Sequence, residues 1–293
     1  MTSRSRQAWL AIPIILAIGA GLAWAGSQAG QRVAGWPLFA ICGAIAFALN
    51  AIVFLPSYLF RTERFFDLTG SLTYLTLIGV ALGLGPGGSR AGLLGAMVAI
   101  WALRLGSFLF LRITRDGSDG RFDAIKPDFG RFLMAWTLQG LWVFLTFSCA
   151  LAAMTTARAA SLDAFAGLGL AVWATGLTIE IVADEQKRRF RSDPRNAGRF
   201  ITTGLWAWSR HPNYFGEILV WLGVAITAWP ALDGWPRITL VSPLFVYVLL
   251  TRISGIPLLE ARARRRWGDD PAFRAWVEAT PALVPRPPAR SRR

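Results

Sequence analysis

The sequence predicts an all-α fold: a polytopic transmembrane helix bundle of about eight spans with both termini cytoplasmic. Composition is the first observation behind this. Of 293 residues, 54% are hydrophobic and only 16% are charged, and the mean hydropathy is +0.43. A soluble domain of this length carries charged faces on most of its helices. The second observation is a recurrence of apolar runs near 20 residues, the length that crosses bilayer hydrocarbon as a helix. They fall at 8–25, 36–58, 68–86, 91–111, 133–154, 161–183, 212–231 and 238–256. The third is the distribution of basic residues between them.

Arg4 and Arg6 precede the first run, and Arg32 stands alone after it. Arg61 and Arg64 follow the second run, and Arg90 alone follows the third. Residues 112–131 carry Arg112, Arg115, Arg121, Lys126 and Arg131, and the next loop has Arg158 alone. Residues 184–211 carry Lys187, Arg188, Arg189, Arg191, Arg195, Arg199 and Arg210, then Arg237 stands alone before an arginine-rich tail. Rich and poor loops alternate, as the positive-inside rule requires of eight spans with both ends inside. A missed or invented span breaks that alternation. Residues 1–29 also resemble a signal peptide ending "AWAGSQA", and its cleavage leaves seven spans with the same cytoplasmic face. The last run is interrupted near its end by Arg252 and Gly255.

The net charge of +14 invites a nucleic-acid partner, but the cations lie in loops where membrane orientation accounts for them. No nucleic acid and no protein partner are expected. Cys42 and Cys149 sit inside apolar runs and His211 is the single histidine, so neither a disulfide framework nor a metal site is expected. "GLGPGG" (Gly83, Gly85, Gly88) fits a dinucleotide fingerprint, yet it follows a membrane helix instead of a strand and reads as a flexible turn. A transporter built from inverted repeats is not indicated, because no such repeat is visible.

The stretch "DEQKRRFRSDPRNAGRFITTGLWAWSRHPNYFGE", residues 184–217, is of a different kind. A loop that only meets lipid headgroups needs lysine and arginine alone. Here Asp184, Asn196, Asn213 and Glu217 are interleaved with the cations. Arginine takes phosphate in a bidentate way, while asparagine and carboxylates suit amide and ribose hydroxyl groups. Trp206, Trp208 and Tyr214 are candidates for stacking on rings or for an interfacial belt. Asp184, Arg188 and Arg191 recur at i, i+4 and i+7 and share one helix face, as an extension of the sixth span that Pro194 ends. Pro212 suits the first turn of the seventh span. Arg210 and His211 lie just before it, and Asn213 and Glu217 share a face within it. A glutamate at membrane depth is costly without a partner and marks function by default. The tail 255–285 sets Glu260 among arginines, then "WGDDPAF". By composition alone it reads as an amphipathic helix on the membrane surface.

At these residues the sequence resembles the steroid 5-alpha-reductase superfamily, and within it a bacterial branch of integral membrane proteins. The stretches that carry the resemblance are Asp184–Arg191, "GRFITTGLWAWSRHPNYFGEILVW" (198–221) and "LLEARARRRWGDDPAFRAWVEATPALVP" (258–285), joined by "RTERFFDLTGSLTYL" (61–75). The same architecture recurs in sterol reductases, which hold NADPH, and in isoprenylcysteine and phospholipid methyltransferases, which hold S-adenosylmethionine. The resemblance implies cofactor contacts at Asp184, Arg188, Arg191, Asn213, Tyr214 and Glu217, and further at Arg210, His211 and Glu260. The chemistry of the loop adds Asn196 and Arg199. The resemblance also implies a glutamate on an early helix and a tyrosine on a later one that polarise the substrate carbonyl. Trp101 stands where that tyrosine falls, three residues before Arg104, and an indole is no useful acid. Asp67 and Tyr74, which share a face of the third span, are the substitute catalytic candidates, with Glu63 a further one. The competing reading of Tyr74 is an ordinary core tyrosine.

The cofactor stays open between two choices. NADPH is favoured by the seven basic residues between 184 and 211, since a methyl donor needs fewer phosphate-binding cations. The expected protein is an NADPH-dependent reductase of an activated C=C bond in a lipidic or steroid-like substrate that enters from the bilayer. The alternative is an S-adenosylmethionine-dependent lipid or isoprenylcysteine-type methyltransferase. Residues 1–132 are expected to line the substrate chamber and 133–293 to bind the cofactor, on the cytoplasmic face of a bacterial cytoplasmic membrane, with membrane lipids around them.

Overall fold

The structure, a computed structural model, describes residues 3–158 and 160–288. The extreme ends of the expected segments, 1–2 and 289–293, lie outside the described residues, as does the side chain of Arg4. Among the described residues, eight helical stretches are long and apolar enough to cross a membrane, and the chain is an integral membrane protein. It divides into two compact units, Met1–Gly167 with Val224–Ser242, and Leu168–Gly223 with Pro243–Arg293.

The first unit holds α1 (Ser3–Gly26), α2 (Leu38–Leu59), α3 (Phe66–Leu84), α4 (Ser89–Asp116) and α5 (Phe129–Thr155). A two-residue hairpin, β1 (Arg32–Val33) with β2 (Trp36–Pro37), turns the chain between α1 and α2. The axis is α5, against which α1, α2, α3 and α4 all pack. Of its apolar window 83% is buried, against 28% for α1 and 39% for α2, which keep lipid-facing sides. Residue 132, the expected limit between substrate and cofactor segments, falls at the start of this central helix.

Several buried polar groups of the unit find partners, as a low-dielectric interior favours. Gln139 on α5 donates to Asn50 Oδ1 on α2 at 3.1 Å and to the Phe66 carbonyl at 2.7 Å. Arg90 is buried and donates to the carbonyls of Thr227 and Ser161, both at 2.5 Å, while pairing with Asp163 at 2.8 Å. "GLGPGG" forms a turn, with Gly87 and Gly88 at φ of 74° and 105°, values that glycine alone adopts freely. Helix α4 runs five residues past its expected end at 111, and Gly117 at φ 81° terminates it.

In the second unit the sixth span and its charged extension are one helix, α6 (Ala164–Ser192), whose first residues belong to the first unit. Asp193 caps the next turn by accepting from the Arg195 N–H, and Pro194 prevents continuation. Helix α7 (Pro212–Ala228) meets α6 at backbone distance. A Cβ built on Gly176 would stand 2.6 Å from the Gly216 carbonyl oxygen and 2.7 Å from the Val220 nitrogen, so only glycine fits. The last span is broken where Arg252 and Gly255 interrupt it: α8 (Val241–Val248), a π turn over Leu249–Ile253, then α9 (Ile256–Trp267). A short α10 (Pro271–Ala279) follows, capped by the Asp270 carboxylate on the Ala272 N–H.

Candidate functional site

The "WSRHP" segment has no regular structure, so its backbone needs partners from elsewhere. The end of the chain supplies them. The Arg210 N–H donates to the Pro281 carbonyl and the Arg286 N–H to the Trp208 carbonyl, both at 2.9 Å. Between these, Ser209 is fully buried; its hydroxyl donates to the Leu283 carbonyl at 2.8 Å and accepts from the His211 N–H at 3.1 Å. Upstream, Trp206 is buried and donates Nε1–H to the Ala183 carbonyl of α6 at 3.0 Å, with Lys187 Nζ 4.3 Å from its ring centroid. Arg210 and His211 are thereby held between α6 and the C-terminal strap.

They face a cavity of about 310 Å³ within the second unit. Helix α6 contributes Lys187 and Arg191, the loop Arg199, Phe200, Trp206, Arg210 and His211, and α9 with α10 Glu260, Arg262, Arg266, Trp267, Phe273 and Trp276. Phe200, Trp267, Phe273 and Trp276 form a mutually packed aromatic wall, with Phe200 5.1 Å from Phe273 and 5.6 Å from Trp276 between centroids. Six cations therefore line the cavity against one carboxylate, Glu260. That imbalance gives the cavity a positive potential, which attracts anionic groups.

Its polar end carries unused hydrogen-bonding capacity. His211 is 6% exposed, and neither ring nitrogen has a hydrogen-bond partner among the described residues. The same holds for Arg210 Nε and Glu260 Oε1. Glu260 Oε1 lies 3.0 Å from Arg210 Nη2 and 3.6 Å from His211 Nε2, so charge attracts these groups without hydrogen bonds of good geometry. Burial pushes the His211 imidazole below its ordinary value, Lys187 and Arg210 push the same way, and Glu260 opposes them. The ring is neutral at pH 7, with one donor and one acceptor. Buried polar groups without partners are costly, and a ligand that satisfies them gains by as much.

Of the expected cofactor residues, Arg191, Arg199, Arg210, His211 and Glu260 line this cavity. A second cluster lies where α6 faces α7: Asn213 Nδ2 donates to Asp184 Oδ1 at 3.2 Å, Tyr214 stacks on His211 at 5.7 Å, and Glu217 is half-buried one turn on. Two residues are used otherwise. Arg188 makes a bidentate pair with Glu185 at 2.6 and 2.7 Å, and Asn196 donates to the Phe190 carbonyl at 3.0 Å to close its turn. Sequence reasoning missed Arg262 and Arg266, because an arginine-rich amphipathic helix carries the same signature on a membrane surface. It also passed over Glu180, buried at 3% exposure on α6 beside the glycine contact with α7. An acid inside an apolar span was the available signal.

The catalytic candidates lie in the first unit. Glu63 is buried, and its oxygens accept from the Asp119 N–H at 2.7 Å and from Lys126 Nζ at 2.6 Å. Burial raises its pKa, but those hydrogen bonds outweigh burial and hold the carboxyl below its ordinary range. Glu63, a catalytic candidate from the sequence, thereby clamps the 117–128 loop through Lys126 and the Asp119 N–H. Asp67 pairs at 3.6 Å with Arg121 and at 3.7 Å with Arg112. Tyr74 is 5% exposed, edge-on to Trp101 at 5.5 Å and near Phe147 at 6.0 Å. Asp67 and Tyr74 thus engage different neighbours, one a cluster of arginines and the other a group of aromatic rings.

Residues 53–280 match the family described as "Protein of unknown function (DUF1295)". The chain belongs to this family, which is steroid 5-alpha-reductase-like. The match to DUF1295 takes in α3 to α10 and every cavity-lining residue. Among curated proteins, the chain is 33% identical over 118 residues to 3-oxo-5-alpha-steroid 4-dehydrogenase 1 of Rattus norvegicus, covering 40% of each chain. It is 33% identical to the Bos taurus protein of the same name over 67 residues, 23% of this chain and 26% of that one. It is also 25% identical over 174 residues to "Probable O-methyltransferase ustE" of Ustilaginoidea virens, 52% of this chain and 59% of that one. The match thus spans about a quarter to three fifths of these relatives' lengths. No solved structure matches.

Proposed function

We propose that this DUF1295 protein is an NADPH-dependent membrane reductase of an activated C=C bond in a lipidic, steroid-like substrate. The observation that carries the reading is the cavity in which six cations, an aromatic wall and unpartnered buried groups at Arg210, His211 and Glu260 meet. Those residue types fit a phosphorylated dinucleotide: arginines take phosphate oxygens, the aromatic rings take a base, and the buried polar groups take its edge. The steroid dehydrogenase names of several relatives support oxidoreduction beside a 3-oxo group.

NADPH held there would supply the hydride equivalent for the β-carbon of the enone, and the proton for the α-carbon would come from solvent. Arg191, Arg199, Arg210, His211 and Glu260 bind and orient the cofactor, and Asp184, Asn213, Tyr214 and Glu217 extend that role along α6 and α7. Tyr74 is the proposed hydrogen-bond donor to the substrate carbonyl, where developing negative charge is stabilised. The cofactor site faces the cytoplasm and the membrane is a bacterial cytoplasmic one in this reading.

The O-methyltransferase name of one relative favours a second reading, with S-adenosylmethionine in the same cavity. That donor carries no phosphate and leaves most of the lining cations unused. Titration of the detergent-purified protein with NADPH, NADH and S-adenosylmethionine decides between them. Saturable NADPH binding that is lost in Asn213→Ala and Glu217→Gln variants with retained fold supports the reductase. Binding of S-adenosylmethionine alone overturns it.

A further inference from the structure

We propose that the outer face of α9 docks on anionic lipid headgroups of the bilayer that the chain spans, and that this contact holds one wall of the cavity in place. The consequence for cofactor binding rests on the proposed reading of the cavity, whereas the lipid contact stands apart from it.

The charges of α9 set its level in the membrane. The last span carries no charged residue from Ile238 to Thr251, then breaks in the π turn over Leu249–Ile253. Helix α9 follows with Glu260 and four arginines within 12 residues, more charge than hydrocarbon accepts. It therefore starts among the headgroups.

The helix has two faces. Leu259, Ala263, Arg266 and Trp267, spaced at i, i+4, i+7 and i+8, line the cavity. The opposite side holds Leu258, Ala261, Arg264 and Arg265, all exposed. The Arg264 side chain is 70% exposed, although its guanidinium lies 3.6 Å from Glu260. Both charged members of this outer face are arginines, and the exposed Arg252 and Ile253 of the π turn precede them. Around α10 the balance differs, since exposed Asp269, Asp270 and Glu278 accompany Arg274.

An anionic headgroup layer complements the outer face of α9. Arginine takes phosphate oxygens in a bidentate way, and basic segments next to a span are drawn to an anionic leaflet. Leu258 and Ile253, 49% and 59% exposed, place aliphatic surface where the acyl boundary begins. Only Ser254 and Gly255 separate the π turn from α9, so the helix has no spacer that would carry it away from the lipid.

One helix carries both faces, so lipid that immobilises the outer face also fixes Arg266 and Trp267 on the inner one. Trp267 then passes the restraint to the loop, because its Nε1–H donates to the Gly198 carbonyl at 2.5 Å. Bilayer charge thereby regulates how well the cavity is formed.

The test places the full chain in nanodiscs of phosphatidylcholine, or of phosphatidylcholine mixed equally with phosphatidylglycerol, and follows hydrogen exchange of the α9 amides. Each arginine near an anionic surface contributes roughly fivefold in affinity. Exchange across α9 is expected to slow by about tenfold in the anionic discs and to recover at high salt. Arg265→Glu should abolish the difference, Arg265→Lys should keep most of it, and Arg274→Glu, an equal change of charge on α10, should leave it. Equal exchange in the two bilayers, or slowing that persists in Arg265→Glu, overturns the lipid contact. Protection that follows the number of copies per disc, whatever the lipid, makes this face an interface between copies and overturns it as well. NADPH is expected to bind more tightly in the anionic discs, and Arg265→Glu should remove that gain. Equal NADPH affinity in the two bilayers, with exchange still different, overturns the regulation of the cavity alone. If NADPH binds in neither bilayer the reductase reading fails, and exchange still decides the lipid contact.

Discussion

The hydroxyl of Ser209 donates to the carbonyl oxygen of Leu283 at 2.8 Å, across 74 positions of sequence. Ser209 Oγ also accepts the His211 N–H at 3.1 Å, so one buried atom links the C-terminal strap to the residue that opens onto the cavity. Ser209→Ala strands both groups, and an unsatisfied buried polar group costs about 1–3 kcal/mol. The expected result is a lowered midpoint of thermal unfolding together with, on the proposed reading, weaker NADPH binding, and Ser209→Thr should recover part of each. Parent-like melting and affinity in Ser209→Ala would show that the strap does not position His211.

The clamp at Glu63 should make the 117–128 loop sensitive to acid. Its folded pKa lies below the unfolded value, so its contribution is fully present above the ordinary glutamate range near 4.5 and is lost as pH falls through the depressed folded value. Glu63→Gln removes the carboxylate from Lys126, and a hydrogen bond to a charged group contributes about 1.5–3 kcal/mol. Limited proteolysis across 117–128 should accelerate in the variant at neutral pH, and in the parent protein only in acid.

His211 imposes a pH dependence on stability at milder pH. Its folded pKa is depressed by burial, so as pH falls below about 6.5 the unfolded chain takes up a proton that the folded chain refuses. Stability therefore rises with pH through that window. His211→Gln should flatten the slope of the melting midpoint between pH 5 and 7, and an unaltered slope means the titrating group lies elsewhere.

The α6–α7 contact leaves no room for a methyl group at Gly176 or Gly216, where the colliding atoms are backbone and cannot rotate away. Gly176→Ala should cost about 1–3 kcal/mol by overpacking, read as loss of folded yield and a lower melting midpoint. Gly21, whose added Cβ meets nothing within 4 Å, is the control, and alanine there should be tolerated.

Much of the architecture was legible in the chain. Apolar run length, set by bilayer thickness, located the eight spans, and Pro194 and Pro212 placed the end of α6 and the start of α7 because proline lacks the N–H a helix interior needs. The break in the last span followed from Arg252 and Gly255. What composition hid is which helix is central. The span containing Trp136 and Phe144 is as apolar as its neighbours, and hydropathy does not distinguish a lipid-facing side chain from one facing protein.

The candidate site was legible in part for a related reason. The interleaving of Asn213, Glu217 and His211 with cations marked the 184–217 stretch as more than a basic loop. Arg262, Arg266 and Trp267 looked like a surface helix, and only the fold turns that face toward a cavity. Arg188 and Glu63 had the chemistry of site residues, and the sequence did not show that Glu185 pairs with the one and Lys126 with the other.

By itself, then, the sequence determined that the chain spans a membrane as about eight helices, because hydrophobic length is a local property of the chain. It also marked a segment whose polar side chains line the candidate cavity, because such groups are costly near an apolar helix. Only the tertiary structure decided which of those groups share a cavity and which are consumed by ion pairs. Those outcomes depend on distances of a few ångströms between residues such as His211 and Glu260, 49 positions apart in the chain, and no local pattern encodes them.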